Sequence, residues 1–290
     1  MKCIYHSRDL DGYCSAAIVK RKYLDAEFIG YDYGQPFPWE KIGNETVIMV
    51  DVSLPMEDMR KLSELCGGKF TWIDHHISAI NEFMALSEPF FINPVLQDGI
   101  AACEIAWKYF FSDETMPLAV RFLGEYDTWR DADQARWEYV ILPFQYGMRL
   151  NCNSLETFPM NLLENYTRIT RDIEHIFHTG ETILNYQKQQ NAVACRGAFE
   201  AEIDGLRAIC LNGGGFSSQA FESVYDEAKH DLMVPFRFDG KQWTFSLYTT
   251  KDTVDCSQIA KARGGGGHKK AAGFQTQNLE NVLSNVEVAA

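Results

Sequence analysis

Hydrophobic and polar positions in the first half of the chain alternate between two rhythms. Short, mostly apolar runs occur at residues 3–5, 47–50 and 70–73, and longer stretches with spaced apolar positions lie between them. The short runs have the length and composition of buried strands. Strands are predicted over residues 2–6, 27–31, 46–51 and 69–74. Gly12 to Tyr23 reads as a helix with Ala16, Ala17 and Val19 among its apolar positions. Pro55 opens a second helix that runs to about Cys66, where Gly67-Gly68 ends it, and a third begins near Ile77. A strand–helix–strand rhythm of this kind predicts an α/β fold with a mostly parallel, doubly wound sheet and helices on both faces. Sites in such sheets lie beyond the carboxyl ends of the strands.

The pattern then changes twice. From Ile100 to about Cys195 it is largely helical, clearest at Ala101–Phe111 and Met116–Tyr126, with a long charged stretch from about Asn161 to Val193. In the last hundred residues, strands are predicted at Leu206–Leu211, Leu232–Phe238 and Trp243–Tyr248, the last two joined by a two-residue turn at Asp239-Gly240. Phe216–Ala228 and residues 256–263 read as helical. The predicted organisation is a catalytic domain over 1–155, a helical linker over 156–197 and a smaller α/β domain over 198–290.

Each of three apolar runs stops on side chains that bind metals. The first ends in His6, followed by Asp9 and Asp11; the second ends in Asp51; the third ends in Asp74-His75-His76. With Asp127 from Glu125-Tyr126-Asp127-Thr128-Trp129-Arg130, the candidate ligands are His6, Asp9, Asp11, Asp51, His75 and Asp127. Clustered alone, four carboxylates would repel one another and raise their own pKa values. Two divalent cations neutralise four negative charges. A mixed carboxylate and imidazole set suits Mn²⁺ better than a structural zinc site, with Mg²⁺ as the second choice. Each residue alone has a plainer reading. Asp9 and Asp51 are placed to cap helices, His6 is an ordinary histidine, His75 and His76 a solvated pair, and Asp127 a solvated loop residue. The coincidence at three strand ends favours the cluster. Gly12 follows Asp11 where the chain turns into the helix and permits close backbone approach. Trp72 and Trp129 flank the cluster and read as packing that stiffens it.

In order, His6-Ser-Arg-Asp9-Leu-Asp11-Gly12, the strand-end Asp51, Asp74-His75-His76 and Asp127 resemble the four motifs of the DHH phosphoesterases. Gly264-Gly265-Gly266-Gly267-His268 and the following Lys-Lys-Ala-Ala-Gly273 resemble the glycine-histidine motif of the DHH-associated C-terminal domain. The resemblance covers nearly the whole chain. It implies one cation held by His6, Asp9 and Asp51 and another by Asp11, Asp51, His75 and Asp127, with Asp51 shared. It implies that Asp74 orients a ligand, that His76 faces the substrate phosphate, and that water between the cations is the nucleophile. It also implies that the C-terminal domain grips the rest of the substrate across an interdomain cleft, through Arg263, Gly265, Gly266, Gly267 and His268.

The glycine tetrad has a physical reading of its own. Lys261, Arg263, His268, Lys269 and Lys270 form a cationic run, and glycine amides can turn toward an anion, with the following segment offering a helix N-terminus. A flexible linker is the plainer alternative. Arg130 suits either a phosphate or an ion pair. Tyr13, Tyr33, Tyr126 and Phe274 are candidates to stack on a base, although core packing explains most aromatic residues.

Composition narrows the partners. A net charge of −13 disfavours long duplex nucleic acid and anionic membranes but not a small anion beside a cation. Eight cysteines without a C-x-x-C pair read as reduced thiols of a cytoplasmic protein. No signal peptide or bilayer-length apolar run is seen. The expected activity is therefore a hydrolase acting on phosphoester bonds of short nucleotides, an oligoribonuclease-like exonuclease being favoured. The chain length leaves no space for the extra oligonucleotide-binding domain of RecJ-like relatives. Cyclic or linear dinucleotides and 3′-phosphoadenosine 5′-phosphate are alternative substrates, and a non-catalytic nucleotide sensor is the alternative outside enzymes. A homodimer is left open.

Overall fold

The computed structural model describes residues 1–130, 132–164, 168–267 and 269–288. The chain divides into two compact units, Met1–Leu184 and Asn185–Ala290. The first holds five strands: β1 (Lys2–His6), β2 (Glu27–Tyr31), β3 (Val47–Val50), β4 (Phe70–Asp74) and β5 (Asn93–Leu96). They form one sheet in the order β2-β1-β3-β4-β5, with every pairing parallel. All five carboxyl ends therefore share one edge. The parallel α/β expectation holds, and β5 is an addition to the predicted strands.

The strands are buried on both faces. Ile48, Val50 and Ile73 pack into one apolar cluster, while Val47, Met49 and Trp72 pack into another. This alternation follows from the two-residue period of a strand. The helices of this unit are α1 (Leu10–Lys22), α2 (Met56–Leu65), α3 (Ile77–Met84), α4 (Ala102–Phe110), α5 (Leu118–Asp127), the single turn α6 (Gln134–Arg136) and α7 (Leu142–Asn151). A five-residue π-helical stretch, Trp137–Ile141, joins the last two. The first cluster takes Ala16 and Val19 from α1, Trp107 from α4, Leu123 from α5 and Phe144 from α7. The second takes Met59 and Leu62 from α2. Gly12 is required where α1 starts: a Cβ there would lie 2.0 Å from the His6 carbonyl oxygen. The unit boundary falls inside α8 (Arg171–Ala194).

The second unit is built on a seven-stranded mixed sheet. Its strands are β6 (Phe199–Ile203), β7 (Leu206–Asn212), β8 (Leu232–Phe238), β9 (Trp243–Tyr248), β10 (Gly266–Gly267), β11 (Ala271–Thr276) and β12 (Ser284–Val288), in the order β10-β11-β9-β8-β7-β6-β12. Among the described residues of this sheet, only β7 and β8 pair in parallel. The β8–β9 hairpin forms with the expected strand limits, but its turn is shifted by one residue. The Asp239 N–H donates to the Gln242 carbonyl, leaving Gly240 and Lys241 as the two loop residues, with Gly240 at φ +96°. A glycine first in the loop is what a type II′ turn requires.

Phe216–Ala228 is not a helix. A 3₁₀ turn covers Ser218–Phe221, and turns follow. The Asp226 amide is taken by the His230 side chain, Nδ1 accepting at 3.0 Å. Local side-chain bonds of this type compete with helical ones.

Candidate metal centre

The cluster grows from the shared carboxyl edge of β1, β3 and β4. After His6 the chain turns, and Asp9 caps α1, its Oδ1 accepting from the Gly12 N–H at 3.0 Å. The capping reading of Asp9 is thus correct, and its other oxygen remains free to face His6 Nδ1 at 3.0 Å. Asp51 follows β3 at φ +60°. The left-handed region is uncommon for residues other than Gly, and Asp tolerates it better than most. His75 and His76 follow β4.

These side chains meet in two groups, His6 with Asp9 and Asp51, and Asp11 with His75 and Asp127; within each, the ligand atoms lie within 4.8 Å of one another. Asp51 stands between them. Its Oδ2 is 3.4 Å from His6 Nδ1, and its Oδ1 is 3.4 Å from His75 Nε2. His75 Nε2 also lies 3.3 Å from Asp127 Oδ2 and 3.7 Å from Asp11 Oδ2. His6 Nδ1, Asp51 Oδ2 and His75 Nε2 are buried without a hydrogen-bond partner. Buried polar atoms are normally satisfied. Three unsatisfied ones distributed about the Asp51 carboxylate, all oxygen or imidazole nitrogen, fit divalent cations.

Protonation reports the same excess of buried charge. Burial, reinforced by the neighbouring Asp51, pushes Asp11 up to about 8. Burial also raises Asp51, against the nearby His6 ring that favours its charge, and it raises Asp127 together with repulsion from Asp11. Burial opposes the charge on His6, yet the close carboxylates of Asp51 and Asp9 raise it to about 11. Asp9 is the exception: burial works against its charge, but the adjacent His6 ring holds it below the ordinary carboxylate range.

A second layer of contacts holds these groups in place. Both Asp11 oxygens accept backbone N–H bonds from the first turn of α4, from Ala102 at 2.9 Å and Cys103 at 2.8 Å. The helix N-terminus thereby offsets part of a buried charge. Asp74 is fully buried. Its Oδ1 accepts from the His75 and His76 amides at 2.7 and 3.1 Å and lies 2.7 Å from His76 Nδ1. Its Oδ2 accepts from Trp72 Nε1 at 3.1 Å. Oδ1 therefore orients the two histidines, while Trp72 anchors Oδ2. Trp72, which also donates to the Val52 carbonyl, is the stiffening contact expected of it.

Asp32 is a residue that the sequence reading misses. Its Oδ1 lies 3.4 Å from His6 Nε2, the ring nitrogen opposite the one facing Asp9 and Asp51. A carboxylate there fixes which nitrogen carries the proton and leaves Nδ1 as the donor atom. The signal is legible: Asp32 directly follows β2, whose last residue Tyr31 pairs with His6. Asp32→Asn is expected to weaken Mn²⁺ binding about 10–100-fold in calorimetry. Unchanged affinity would remove Asp32 from this role.

Of three aromatic candidates, two are in the core and one is near the cluster. Tyr13 and Phe274 are buried core residues, while Tyr33 is half-exposed, its ring 5.8 Å from His6 and 6.4 Å from His76. Arg130 forms its ion pair with Glu104. Trp129 does not pack into the cluster's support, because 64% of it is exposed.

In the second unit, the glycine stretch follows α9 (Cys256–Lys261). The amides of Gly264 and Gly265 donate to the Lys261 and Ala260 carbonyls and close the end of that helix. Gly266 and Gly267 form β10 against β11. A Cβ on Gly265 would lie 2.1 Å from the Gly273 carbonyl oxygen, so close strand approach explains that glycine. The segment after the tetrad is strand β11, which corrects the expectation of a helix N-terminus there. Arg263 forms a two-pronged pair with Asp204, at 2.9 and 2.7 Å, and covers the Phe274 ring. Lys270 pairs with Asp252 at 2.7 Å. His268 lies outside the described residues.

The parallel sheet with its strand-end Asp and His residues is followed along the chain by a mixed-sheet unit. The chain shares its fold with a pGpG-specific phosphodiesterase, PggH of Vibrio cholerae, at 14% identity and a TM-score of 0.52, over 97% of this chain and 94% of that one. RecJ of Thermus thermophilus, solved with Mn²⁺, matches at 16% identity over 94% of this chain and 49% of RecJ; its TM-score of 0.44 is too low to carry an argument. Among curated proteins, the uncharacterized protein R106 of Acanthamoeba polyphaga mimivirus is 25% identical over 257 residues. The match takes in 84% of this chain and 56% of R106, so the chain spans little more than half of that relative's length. No family model matches the chain. Among the described residues, no helix is long and apolar enough to cross a membrane.

Proposed function

We propose that the chain is a divalent-metal-dependent phosphoesterase that hydrolyses short linear nucleotides, dinucleotides and very short RNA included, to mononucleotides. The observation that carries this reading is Asp51: one buried carboxylate whose Oδ2 faces His6 Nδ1 and whose Oδ1 faces His75 Nε2, two buried nitrogens without a hydrogen-bond partner. His6, Asp9 and Asp51 would hold one cation, and Asp11, Asp51, His75 and Asp127 the other, with Mn²⁺ the best match to the donors. Bound there, divalent cations supply a lowered water pKa and a positive clamp on phosphoryl oxygens.

The chain's own residues supply orientation and charge. Asp74 engages Nδ1 of His76, which leaves Nε2 of that half-exposed ring for the substrate. Burial opposes protonation of His76, but the Asp74 contact raises it to about 9. The imidazolium then donates a hydrogen bond to a phosphoryl oxygen and offsets its charge. A short substrate agrees with the chain's net charge of −13, which repels a long polyanion. The shared fold with a protein described as acting on pGpG favours a linear dinucleotide within this class.

The test is a substrate panel with the metal-stripped protein, without and with added Mn²⁺: labelled pGpG, a cyclic dinucleotide, 3′-phosphoadenosine 5′-phosphate and a five-nucleotide RNA. Mononucleotides from pGpG, only when Mn²⁺ is present, are the expected result. Phosphate release from 3′-phosphoadenosine 5′-phosphate alone would replace the reading with a phosphatase. Tight nucleotide binding without turnover would replace it with a sensor.

A further inference from the structure

Helix α5 ends two residues before Trp129, and its last turn closes in a Schellman arrangement. The Trp129 N–H donates to the Tyr126 carbonyl at 3.2 Å, and the Arg130 N–H donates to the Glu125 carbonyl at 3.0 Å. This puts Trp129 at the first position beyond the helix cap, with φ +51°. Glycine is the usual residue there, because a Cβ is disfavoured in the left-handed region. A bulky residue with positive φ is an outlier that asks for a reason. Burial does not provide one, since nearly two-thirds of Trp129 is exposed.

The indole is nevertheless in contact with other rings. It lies nearly parallel to Trp137, with centroids 5.7 Å apart and planes at 25°, and to Tyr126, at 6.4 Å and 28°. Tyr126 and Trp137 stack on each other at 5.5 Å and 3°. Trp137 is buried. Arg149 backs the group, its guanidinium 5.1 Å from the Tyr126 centroid and donating to the Tyr126 hydroxyl at 3.3 Å. Three rings thus form one patch whose outermost member is held open to solvent by its backbone.

The patch adjoins the metal centre. Asp127, two residues before Trp129, lies 3.3 Å from His75 Nε2. Consecutive Cα atoms are about 3.8 Å apart, so the Trp129 backbone stays within about 8 Å of Asp127. A flat, stacked aromatic face beside a phosphate-handling centre matches the π-face of a nucleobase, which stacks regardless of base identity. A pyrophosphate or polyphosphate has no group to place there.

We propose that Trp129, held on the Tyr126–Trp137 stack, is the platform on which a base of the substrate lies, so that the centre selects nucleotides over base-free phosphoesters. This rests on the phosphoesterase reading above. Trp129→Gly in the full chain separates the two. Glycine relieves the strained backbone, so the thermal midpoint is expected to stay level or rise. KM for a linear dinucleotide with Mn²⁺ should increase roughly ten- to hundredfold, with a much smaller change for the corresponding abasic dinucleotide. Trp129→Phe should retain most of the wild-type KM. Wild-type hydrolysis combined with an unchanged KM in Trp129→Gly would overturn this inference and leave the phosphoesterase reading standing. An equal rise in KM for the dinucleotide and its abasic analogue would also overturn it. Absence of any wild-type hydrolysis would remove both.

Discussion

Replacing Asp51 with Asn is expected to lower dinucleotide turnover with Mn²⁺ by at least about a thousandfold while leaving the fold intact. The expectation comes from position. Asp51 alone faces both ligand groups, with oxygens 3.4 Å from His6 Nδ1 and from His75 Nε2. Asn has the same shape and is among the few residues at ease with positive φ, so the +60° backbone is kept. What disappears is one negative charge and one cation-binding oxygen. Without metal, that charge is buried beside three other carboxylates, so its loss should raise the thermal midpoint of the stripped protein. A folded, firmer and inactive variant is a combination that simple misfolding would not produce. Retention of a tenth or more of wild-type turnover would remove Asp51 from the centre.

The second large effect concerns stability against pH. Asp11, Asp51 and Asp127 all have folded-state pKa values above the ordinary carboxylate range, chiefly through burial, with Asp11 at about 8. Between about pH 4 and 8 the folded chain therefore holds protons that the unfolded chain has released. Stability of the metal-stripped protein must then fall as pH rises through that window. His6 and His76, raised to about 11 and 9 by their carboxylate neighbours, act in the same direction, their stabilising protons being lost as pH climbs toward those values. Cation binding removes the cause by neutralising the cluster. Saturating Mn²⁺ should raise the midpoint by about 10 °C at pH 8, if each of two sites is filled to about a hundred times its Kd. The gain should be much smaller at pH 5.5, where protons compete for the ligands. Scanning calorimetry at the two pH values checks this. A gain independent of pH would place the metal away from these carboxylates.

The strand ends are legible in the sequence because the physics there is local. A buried apolar run that stops on His or Asp announces both the strand and its edge, and parallel pairing does the rest. That rule reaches His6, Asp51 and His75. Applied once more it reaches Asp32, which follows the predicted strand 27–31 in the same way. The Asp11 contact with the Ala102 and Cys103 amides is not legible, because it joins positions 91 and 92 residues apart and neither amide carries a side-chain signal. Trp129 reads as packing from its neighbours in the chain. Its exposure depends on a left-handed helix end that is normally announced by glycine, and no glycine stands there. The glycine tetrad misleads in the opposite sense. It reads as amides offered to an anion, whereas two of those amides close α9 and the other two glycines pair as a strand.

The central claim is that side chains from distant parts of the chain gather two cations around Asp51. Crystals of the protein grown with Mn²⁺, measured at the manganese absorption edge, test it most directly. Two anomalous peaks are expected, one touching His6, Asp9 and Asp51, the other touching Asp11, Asp51, His75 and Asp127. An anomalous map with no peak at these residues, despite millimolar Mn²⁺ in the crystal, would contradict the account.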